Sequence, residues 1–592
     1  MRLPDIPLVQ GPLDLRVTYP GDSALIGARD SNFIFGSTGN GDARLSINGA
    51  PVPVLPNGSF IAFLPVPPAS SPRYVLVATT AADSARLVLP VRLLPSVQFT
   101  PTGPLIVDSA SVSPREGGIL LPPGEPVRVS VRAAANALVW VESGGTRHFL
   151  VNEGSFPLDI TGADSVPAAT VPGRYVGDPE RWATALAARL FDGNLSLVVA
   201  RGPDTTRFQL AAIDTMDMST ARWVLLGGDT TGAASDTDRV VVGRPEPAGT
   251  YAWFLLPGTV LETTGRVGGF TRVRLDQTLD IWVGSEEVLP LPIGTAAPVR
   301  MISSVTVRPD DGWVDVIFPT GERPAYRVEE RSESIVLTLY GTVASPGLMR
   351  YLGSDPLVRL IVWEQEMNGR ARFTLHLSEA PFGYLAFWDD GRFVLRVRRT
   401  PEIDRRPLAG LTITVDAGHP PAGATGPTGL YEGDIVLPVA ELVRDMLAER
   451  GANVVMTRTT LEPFPLALRP IIARRTGSHA LVSIHLNALP DGVSPFAANG
   501  TSVLFFQPHS APLASAIQQE LLLAFGLRDL GIHYQNIALG RPTWMPAVLT
   551  EGLFIMMPEQ EAAMRSAEGR EAYARAIVEG LENYFRSLGD DR

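Results

Sequence analysis

The pattern of the chain changes near residue 405, and this change constrains the fold more than any other feature. Before it, short alternating runs such as LDLRVTY and VRVSVRA are separated by clusters of Gly, Pro, Asn and Asp, which is typical of β-sandwiches and small barrels. After it, strand-like runs alternate with helical periodicity, which indicates a parallel sheet covered by helices. We therefore predict a multidomain protein with N-terminal β-sandwich and small-barrel domains, followed by a C-terminal α/β domain with a mostly parallel central sheet.

The 592 residues exceed what one hydrophobic core usually supports, so several domains are expected. Proline-bearing stretches at 121–126 and 243–249 mark approximate boundaries. The predicted domains are an immunoglobulin-like sandwich over 1–100, a second β-rich domain over 101–245, a small barrel over 246–296, a β-sandwich over 297–402 and the α/β domain over 405–592. Within DPERWATALAARL (178–190), Trp182, Leu186 and Leu190 share the fourfold spacing of a helix, which is predicted there.

Composition and charge exclude several classes of protein. The net charge of −12 argues against a nucleic-acid backbone as the main partner, because that surface requires an excess of Lys and Arg. No apolar run reaches about 18 residues, so no membrane span is predicted. The absence of cysteine excludes disulfides and thiolate metal ligands. The first 25 residues contain Pro, Asp and Gln where a signal peptide has a continuous apolar core, so no signal peptide is expected in the chain as it stands.

Four polar residues of the C-terminal region occur at or near the ends of strand-like runs. His419 follows LTITVDAG, His485 ends LVSIH and Glu551 follows AVLT, while Glu432 lies 13 residues after His419, before a predicted helix. Because ligands gather at the carboxyl ends of parallel strands, we expect these side chains to meet at one rim. Two imidazoles and a carboxylate suit zinc with one position left for water, and a further carboxylate can move protons. The spacing therefore predicts a hydrolase site.

A family resemblance assigns roles to these residues. Residues 410–588 resemble the zinc-dependent N-acetylmuramoyl-L-alanine amidases of the Amidase_3 type, since the segments LTITVDAGH, GLYEGD, LVSIHLNA and AVLTEGLF occur in the family's order. The resemblance implies that His419, Glu432 and His485 bind Zn²⁺ and that Glu551 is the general base and acid. It also implies the substrate, peptidoglycan, in which zinc-activated water would cleave the amide between N-acetylmuramic acid and the L-alanine of the stem peptide.

The chain departs from that family in the loops around the site. His419 is followed by two prolines where the family often has two glycines, which alters the loop and keeps the ligand. After Glu551, residues 552–557 read GLFIMM in place of a glycine, a phenylalanine and a polar turn, which predicts a more hydrophobic edge of the groove. Regulated members carry a long helical insertion that covers the zinc. Here only 15 residues separate His485 from Thr501, so no self-inhibitory helix is expected.

Two segments before residue 405 resemble other bacterial domains. Residues 250–292 are similar to an SH3-like barrel, and residues 298–400 are similar to the AMIN-type sandwich, which in its family associates with cell-envelope or septal components. The resemblances together imply that the protein is exported to the periplasm or cell envelope. They make envelope or division proteins candidate partners through the β domains, and we expect a monomer.

Two further side chains are candidates for contact with substrate. Asn487 comes two positions after His485, and a turn-stabilising role for it stays open; His533 precedes the strand of the catalytic Glu. Arg458 and Arg469 are expected to pack or to form salt bridges. The remaining histidines are expected to be structural or at the surface: His148, His376, His479 and His509.

Two other functions are compatible with the same residues. The chain would be a wall-binding or scaffold protein if its amidase domain had lost activity, although a polar cluster at a strand rim is costly to keep without a use. It would be a zinc peptidase if the groove accepted another amide. The reaction product distinguishes these three functions.

Overall fold

The structure is a computed structural model, and it describes residues 3–94, 97, 99–100, 102–155, 178, 180–217, 219, 221–228, 239–353 and 355–590. The chain is multidomain and rich in strands, and the α-helices of the described residues lie in the C-terminal α/β region, where the sequence predicts alternating strands and helices. Among the described residues, no helix is both long enough and apolar enough to span a membrane. The finer domain assignments stay predictions.

The first β region contains two sheets and a short strand pair around one core. Its strands are Arg16–Tyr19, Leu25–Ile26, Ser31–Ser37, Arg44–Ile47, Ala50–Val52, Ser59–Pro65, Arg73–Thr79, Ser84–Pro90 and Arg92–Leu93. The strand Arg73–Thr79 alternates buried and less buried positions, so that Tyr74, Leu76 and Ala78 point inward. These side chains pack against Ile34 of the opposite sheet, which closes the N-terminal sandwich.

The second β region corrects one sequence prediction. Its strands are Val107–Ser113, Ile119–Leu121, Pro126–Ala133, Leu138–Ser143, Thr146–Phe149, Val151–Asn152, Arg181–Ala187, Ser196–Arg201, Asp204–Gln209 and Ile213–Thr215. The helix predicted over 178–190 is wrong, because Arg181–Ala187 is a strand that pairs antiparallel with Pro126–Ala133. A spacing of four residues places Trp182 and Leu186 on one side of a strand as well as of a helix, so periodicity alone did not separate the two.

The next two β regions precede the α/β domain and contain several sheets. The third region contains Trp223–Leu226, Val241–Gly243, Trp253–Leu255, Val260–Val267, Phe270–Asp276, Leu279–Gly284 and Val288–Pro290. The fourth contains Met301–Asp310, Trp313–Phe318, Ala325–Arg331, Ser334–Tyr340, Val343–Tyr351, Val358–Met367, Arg370–Leu377, Tyr384–Asp389 and Arg392–Arg398, in two sheets that share a core. The sheet of Val260–Val267 also includes Ile119–Leu121, so it draws strands from both sides of residue 246.

The α/β domain is built on one six-stranded sheet. In spatial order its strands are Asn453–Met456, Thr412–Ala417, Ala480–Asn487, Ala547–Phe554, Thr501–Phe505 and Asp529–Tyr534. Neighbouring strands are parallel except for Ala547–Phe554 with Thr501–Phe505. The helices are α1 (Glu432–Glu449), α2 (Leu468–Arg475), α3 (Pro495–Ala498), α4 (Ala511–Phe525), α5 (Pro558–Arg565) and α6 (Ala567–Asp590).

One face of this sheet is covered by three long helices. In α1 the side chains of Val436, Val439, Val443 and Leu447 are buried at spacings of three and four, as on the apolar side of an amphipathic helix. They share one core with residues of α4, α6 and the central strands. The carboxyl ends of the central strands are therefore held at a fixed position relative to the first turn of α1.

The fourth β region packs at the amino ends of the central strands. Arg398 donates to the carbonyl oxygens of Ser478 at 2.7 Å and Trp544 at 2.8 Å, which precede two of these strands. The buried His509 ring lies 2.8 Å from the carboxylate of Glu330 in the same interface. This contact leaves the opposite rim of the sheet, at the carboxyl ends, to form a site.

Candidate metal centre

Parallel strand pairing brings the predicted site residues to one rim. His485 and Glu551 are register partners on adjacent strands, and Ala417 pairs with Ile484 on the other side. His419 lies two residues after the end of its strand at Ala417. The positions of the His419 and His485 side chains therefore follow from the parallel order of these three strands.

Glu432 folds back to this rim as the first residue of α1. Its carboxylate lies 3.2 Å from Nε2 of His419 and 3.1 Å from Nδ1 of His485. One donor atom from each residue lies within 4.8 Å of the others, and within the described part of the chain no other such group of His, Asp or Glu is found. The rings of the two histidines are 4.7 Å apart at their centroids and nearly perpendicular.

Backbone groups hold these three side chains in place. The two carboxylate oxygens of Glu432 accept hydrogen bonds from the backbone N–H of Ala424 at 3.0 Å and of Leu486 at 2.9 Å. His419 has a φ of +51°, in the left-handed region that non-glycine residues rarely adopt. A Cβ at Gly418 would lie 2.5 Å from the His485 ring, so only glycine permits this close approach of loop and strand.

Two buried arginines support the loop that carries His419. Arg458 donates to four carbonyl oxygens, those of Ala417, Gly418, Gly433 and Thr460. Arg469 donates to the carbonyl oxygens of Ala417, His419 and Pro420 and forms an ion pair with Asp416 at 3.0 Å. Both therefore act on the loop backbone through hydrogen bonds, which sequence spacing did not reveal.

The fourth residue, Glu551, has an unpaired buried oxygen. Its Oε2 is buried and has no hydrogen-bond partner. Burial raises the pKa of Glu551 well above its usual range, and the charge of Glu432 raises it further. A carboxyl group in this state retains a proton readily, and a nearby cation would favour its ionised form.

Electrostatics at Glu432 act in the opposite direction. Burial alone would raise its pKa, but hydrogen bonds from His419 and His485 lower the pKa of Glu432 to about 2. Burial lowers the pKa of His419, and the hydrogen bond and charge of Glu432 outweigh it, so the net shift is upward. The cluster is thus an anion between two imidazoles beside an unpaired carboxyl oxygen, and this donor set fits a divalent metal such as zinc.

Tyr573, which no sequence pattern marks, connects the strand of His485 to the strand of Glu551. The hydroxyl of Tyr573, in α6, donates to the carbonyl oxygen of His485 at 2.9 Å and accepts from the N–H of Gly552 at 3.0 Å. A Cβ at Gly552 would lie 2.5 Å from the Tyr573 ring. In the sequence Tyr573 looks like any apolar-face residue of an amphipathic helix, so no local signal identified it.

The two predicted substrate contacts lie in different surroundings. Oδ1 of Asn487 accepts a hydrogen bond from the N–H of the adjacent residue Ala488 at 2.8 Å. His533 is exposed on the edge strand and pairs with Leu504 of the neighbouring strand. On that neighbouring strand, the residue that pairs with Glu551 is Ser502, two positions before Leu504. The structure does not bring His533 to the cluster, and a role for either residue in substrate binding stays a prediction.

The segment between His485 and Thr501 contains one short helix, α3.

Of the remaining histidines, His479 accepts a hydrogen bond from the backbone N–H of Thr412 at 3.0 Å through Nδ1, and His509 pairs with Glu330. Neither belongs to the group formed by His419, Glu432 and His485. Both have structural contacts of the kind expected for histidines without a catalytic role.

The α/β domain matches a known protein family, and the chain is similar to several known proteins. Residues 413–583 match the Amidase_3 family, described as N-acetylmuramoyl-L-alanine amidase. The chain is 36% identical over 187 residues to the uncharacterized protein YqiI of Bacillus subtilis, covering 30% of this chain and 87% of that protein. It is 32% identical over 213 residues to the probable cell wall amidase LytH of Staphylococcus epidermidis, covering 35% and 68%. It is 31% identical over 188 residues to the N-acetylmuramoyl-L-alanine amidase LytC of Bacillus subtilis, covering 31% and 37%.

Proposed function

Since the chain belongs to the N-acetylmuramoyl-L-alanine amidase family and is therefore a peptidoglycan hydrolase, we propose that His419, Glu432 and His485 hold its zinc and that Glu551 transfers protons. The bond cleaved is the amide between N-acetylmuramic acid and the L-alanine of the stem peptide. Family and enzyme class agree with the sequence prediction. The residue roles are supported by the convergence of three donor atoms beside one unpaired carboxyl oxygen.

The donor set suits the proposed metal. Two neutral imidazoles and one carboxylate leave a coordination position open in a tetrahedral site. When bound there, zinc would lower the pKa of a water molecule towards neutrality and polarise the carbonyl of the substrate amide. The backbone N–H groups of Ala424 and Leu486 orient Glu432 toward both histidines, which is the usual function of groups that contact metal ligands.

Glu551 supplies the acid–base chemistry in this proposal. Its carboxylate takes a proton from the attacking water and returns that proton to the departing nitrogen of L-alanine. Burial favours the protonated form of Glu551, which is the form needed for the second transfer. Tyr573 holds the carbonyl of His485 and the N–H of Gly552, so it keeps the ligand strand and the catalytic strand in register.

The observation that carries the proposal is that Glu551 Oε2 is buried without a partner, on the strand next to the ligand His485. The test is to incubate the zinc-loaded protein with isolated peptidoglycan and to identify soluble products by mass spectrometry. Free stem peptides with a new L-alanine amino terminus are expected, together with glycan that lacks peptide. Intact sacculi despite bound zinc would indicate an inactive binder, and cleavage at another amide would indicate a peptidase.

Location and partners follow from the substrate. Peptidoglycan lies outside the cytoplasm, so we infer that the protein acts there. The periplasm as the specific compartment, association of the AMIN-like region with envelope or division proteins, and a monomeric state are further parts of the proposal. The compartment and the partners are supported by the family resemblances of the sequence, and the monomeric state is an expectation from the sequence.

A further inference from the structure

The apolar segment that follows Glu551 is covered by the N-terminal sandwich. Phe554, Met556 and Met557 are 1%, 1% and 4% exposed, and they form one cluster with Phe33 and Phe35 of the strand Ser31–Ser37. The sequence predicts a hydrophobic edge of the groove here. These side chains are instead buried between two domains, and this explains why the segment is apolar.

A polar contact joins the same two domains beside the loop that follows His485. The carboxylate of Asp491 accepts hydrogen bonds from the N–H of Gly27 at 2.6 Å, from Nδ2 of Asn32 at 3.1 Å and from the hydroxyl of Tyr19. Oδ1 of Asn32 accepts from the N–H of Gly492 at 3.0 Å. The side chain of Asn32 is fully buried, and both of these bonds cross to the α/β domain.

The N-terminal sandwich also touches the loop between His419 and Glu432. Oγ1 of Thr18 donates to the carbonyl oxygen of Pro427 at 3.1 Å. From the α/β side, Glu561 accepts from the N–H of Thr428 at 2.9 Å and of Leu430 at 3.1 Å. This loop is therefore held from both domains.

We propose that the N-terminal sandwich, residues 16–93, clamps the two loops that flank the metal cluster, and that Asp491 is the positioning residue of this clamp. One loop lies between His419 and Glu432, and the other begins three residues after His485. A shift of about 1 Å in such supporting groups lowers activity by about two orders of magnitude in other enzymes. The kinetic consequence rests on the proposed amidase function and the effect on zinc affinity rests on the proposed zinc site, whereas the effect on loop motion rests on neither.

The test compares full-length variants that carry zinc. Asp491→Ala removes an acceptor of three hydrogen bonds across the interface, and Glu462→Ala removes an exposed carboxylate from another loop of the same rim. For Asp491→Ala we expect amide hydrogen exchange in residues 488–493 to accelerate at least about tenfold. Zinc affinity, measured by chelator competition, should fall about 10-fold to 100-fold, as for other groups that support metal ligands.

The kinetic readout separates positioning from loss of folding. With a soluble muropeptide, kcat of Asp491→Ala should fall about tenfold with little change in KM, while far-UV circular dichroism and Glu462→Ala match the parent protein. Asn32→Ala should weaken zinc binding in the same direction, and adding it to Asp491→Ala should cost little more, because both residues act through one contact.

Two results would overturn the clamp. One is wild-type exchange and wild-type zinc affinity in Asp491→Ala; the other is a rise in activity, which would make the sandwich an inhibitory cover. If the parent protein fails to cleave muropeptides, the amidase proposal fails, and the exchange and affinity measurements still decide whether the clamp exists.

Discussion

Replacing Glu551 by glutamine is expected to separate catalysis from stability in this protein. The substitution keeps the size of the side chain and removes its ability to accept a proton. General acid–base groups contribute about 10²-fold to 10⁴-fold in rate, so the activation free energy should rise by about 3–5.5 kcal/mol. Zinc content should stay at the parent level, because Glu551 is not among the three converging donors.

In the metal-free protein, Glu551→Gln should raise the free energy of unfolding at neutral pH, although it lowers activity. Burial raises the folded-state pKa of Glu551 above its unfolded value, so the unfolded chain binds fewer protons than the folded one once the pH exceeds about 4.5. The parent protein therefore loses stability as the pH rises through that window towards the folded pKa. Glutamine cannot ionise, so it escapes this loss and the variant should be more stable than the parent at pH 7, with each unit of the pKa shift up to that pH contributing about 1.4 kcal/mol.

The assay combines muropeptide release, zinc content and urea unfolding with chelator at pH 4 and pH 7. Glu449→Gln, an exposed change at the end of α1, serves as the matched control and should alter none of the three. Glu551→Gln should equal the parent in unfolding free energy at pH 4 and exceed it at pH 7. Activity within tenfold of the parent, or loss of zinc, would refute the assignment of Glu551 as the proton-transfer group.

Three further outcomes are expected. Gly552→Ala places a Cβ 2.5 Å from the buried Tyr573 ring and should destabilise the protein by about 1–3 kcal/mol in denaturant unfolding, whereas Gly347→Ala, in open space, should cost less than about 1 kcal/mol. Burial, and secondly the charge of Arg398, lower the pKa of His479 to about 4, below its unfolded value of 6.5. Between these two pH values the unfolded chain binds more protons than the folded protein, so the free energy of unfolding should fall as the pH drops from 6.5 to 4. The fall should be at most about 2 kcal/mol, because His479 is partly exposed. His479→Gln should remove this part of the dependence of stability on pH. Removal of zinc by a chelator should lower the melting temperature, since zinc at about 1,000 times its dissociation constant adds about 4 kcal/mol, and an unchanged temperature would show that no metal supports the fold.

The sequence alone determined the family, the reaction class and the residues that converge. These depend on residue type and on position at strand ends, and parallel strands bring such positions together wherever the connecting loops run. His419 and His485 come together for this reason, and Glu432, the first residue of α1, completes a group whose donor atoms lie within 4.8 Å of one another. The alternation of strands and helices after residue 405 has the same local origin.

Periodicity failed where it does not discriminate between structures. The spacing of Trp182 and Leu186 suits a helix and a strand equally, and pairing with Pro126–Ala133 decided for the strand. The sequence does not show whether the apolar residues after Glu551 form an exposed edge or a buried face. The approach of Phe33 and Phe35 from the other end of the chain decided between them.

Only the tertiary structure identified the supporting residues of the site. Arg458 and Tyr573 act on backbone carbonyls that are distant in the sequence, and Asp491 accepts bonds from residues more than 450 positions away. A backbone group carries no residue-specific pattern, so its partner cannot be found from spacing or composition. The ligands of the candidate metal centre were thus readable from the sequence, while the contacts that position them depend on how the domains pack.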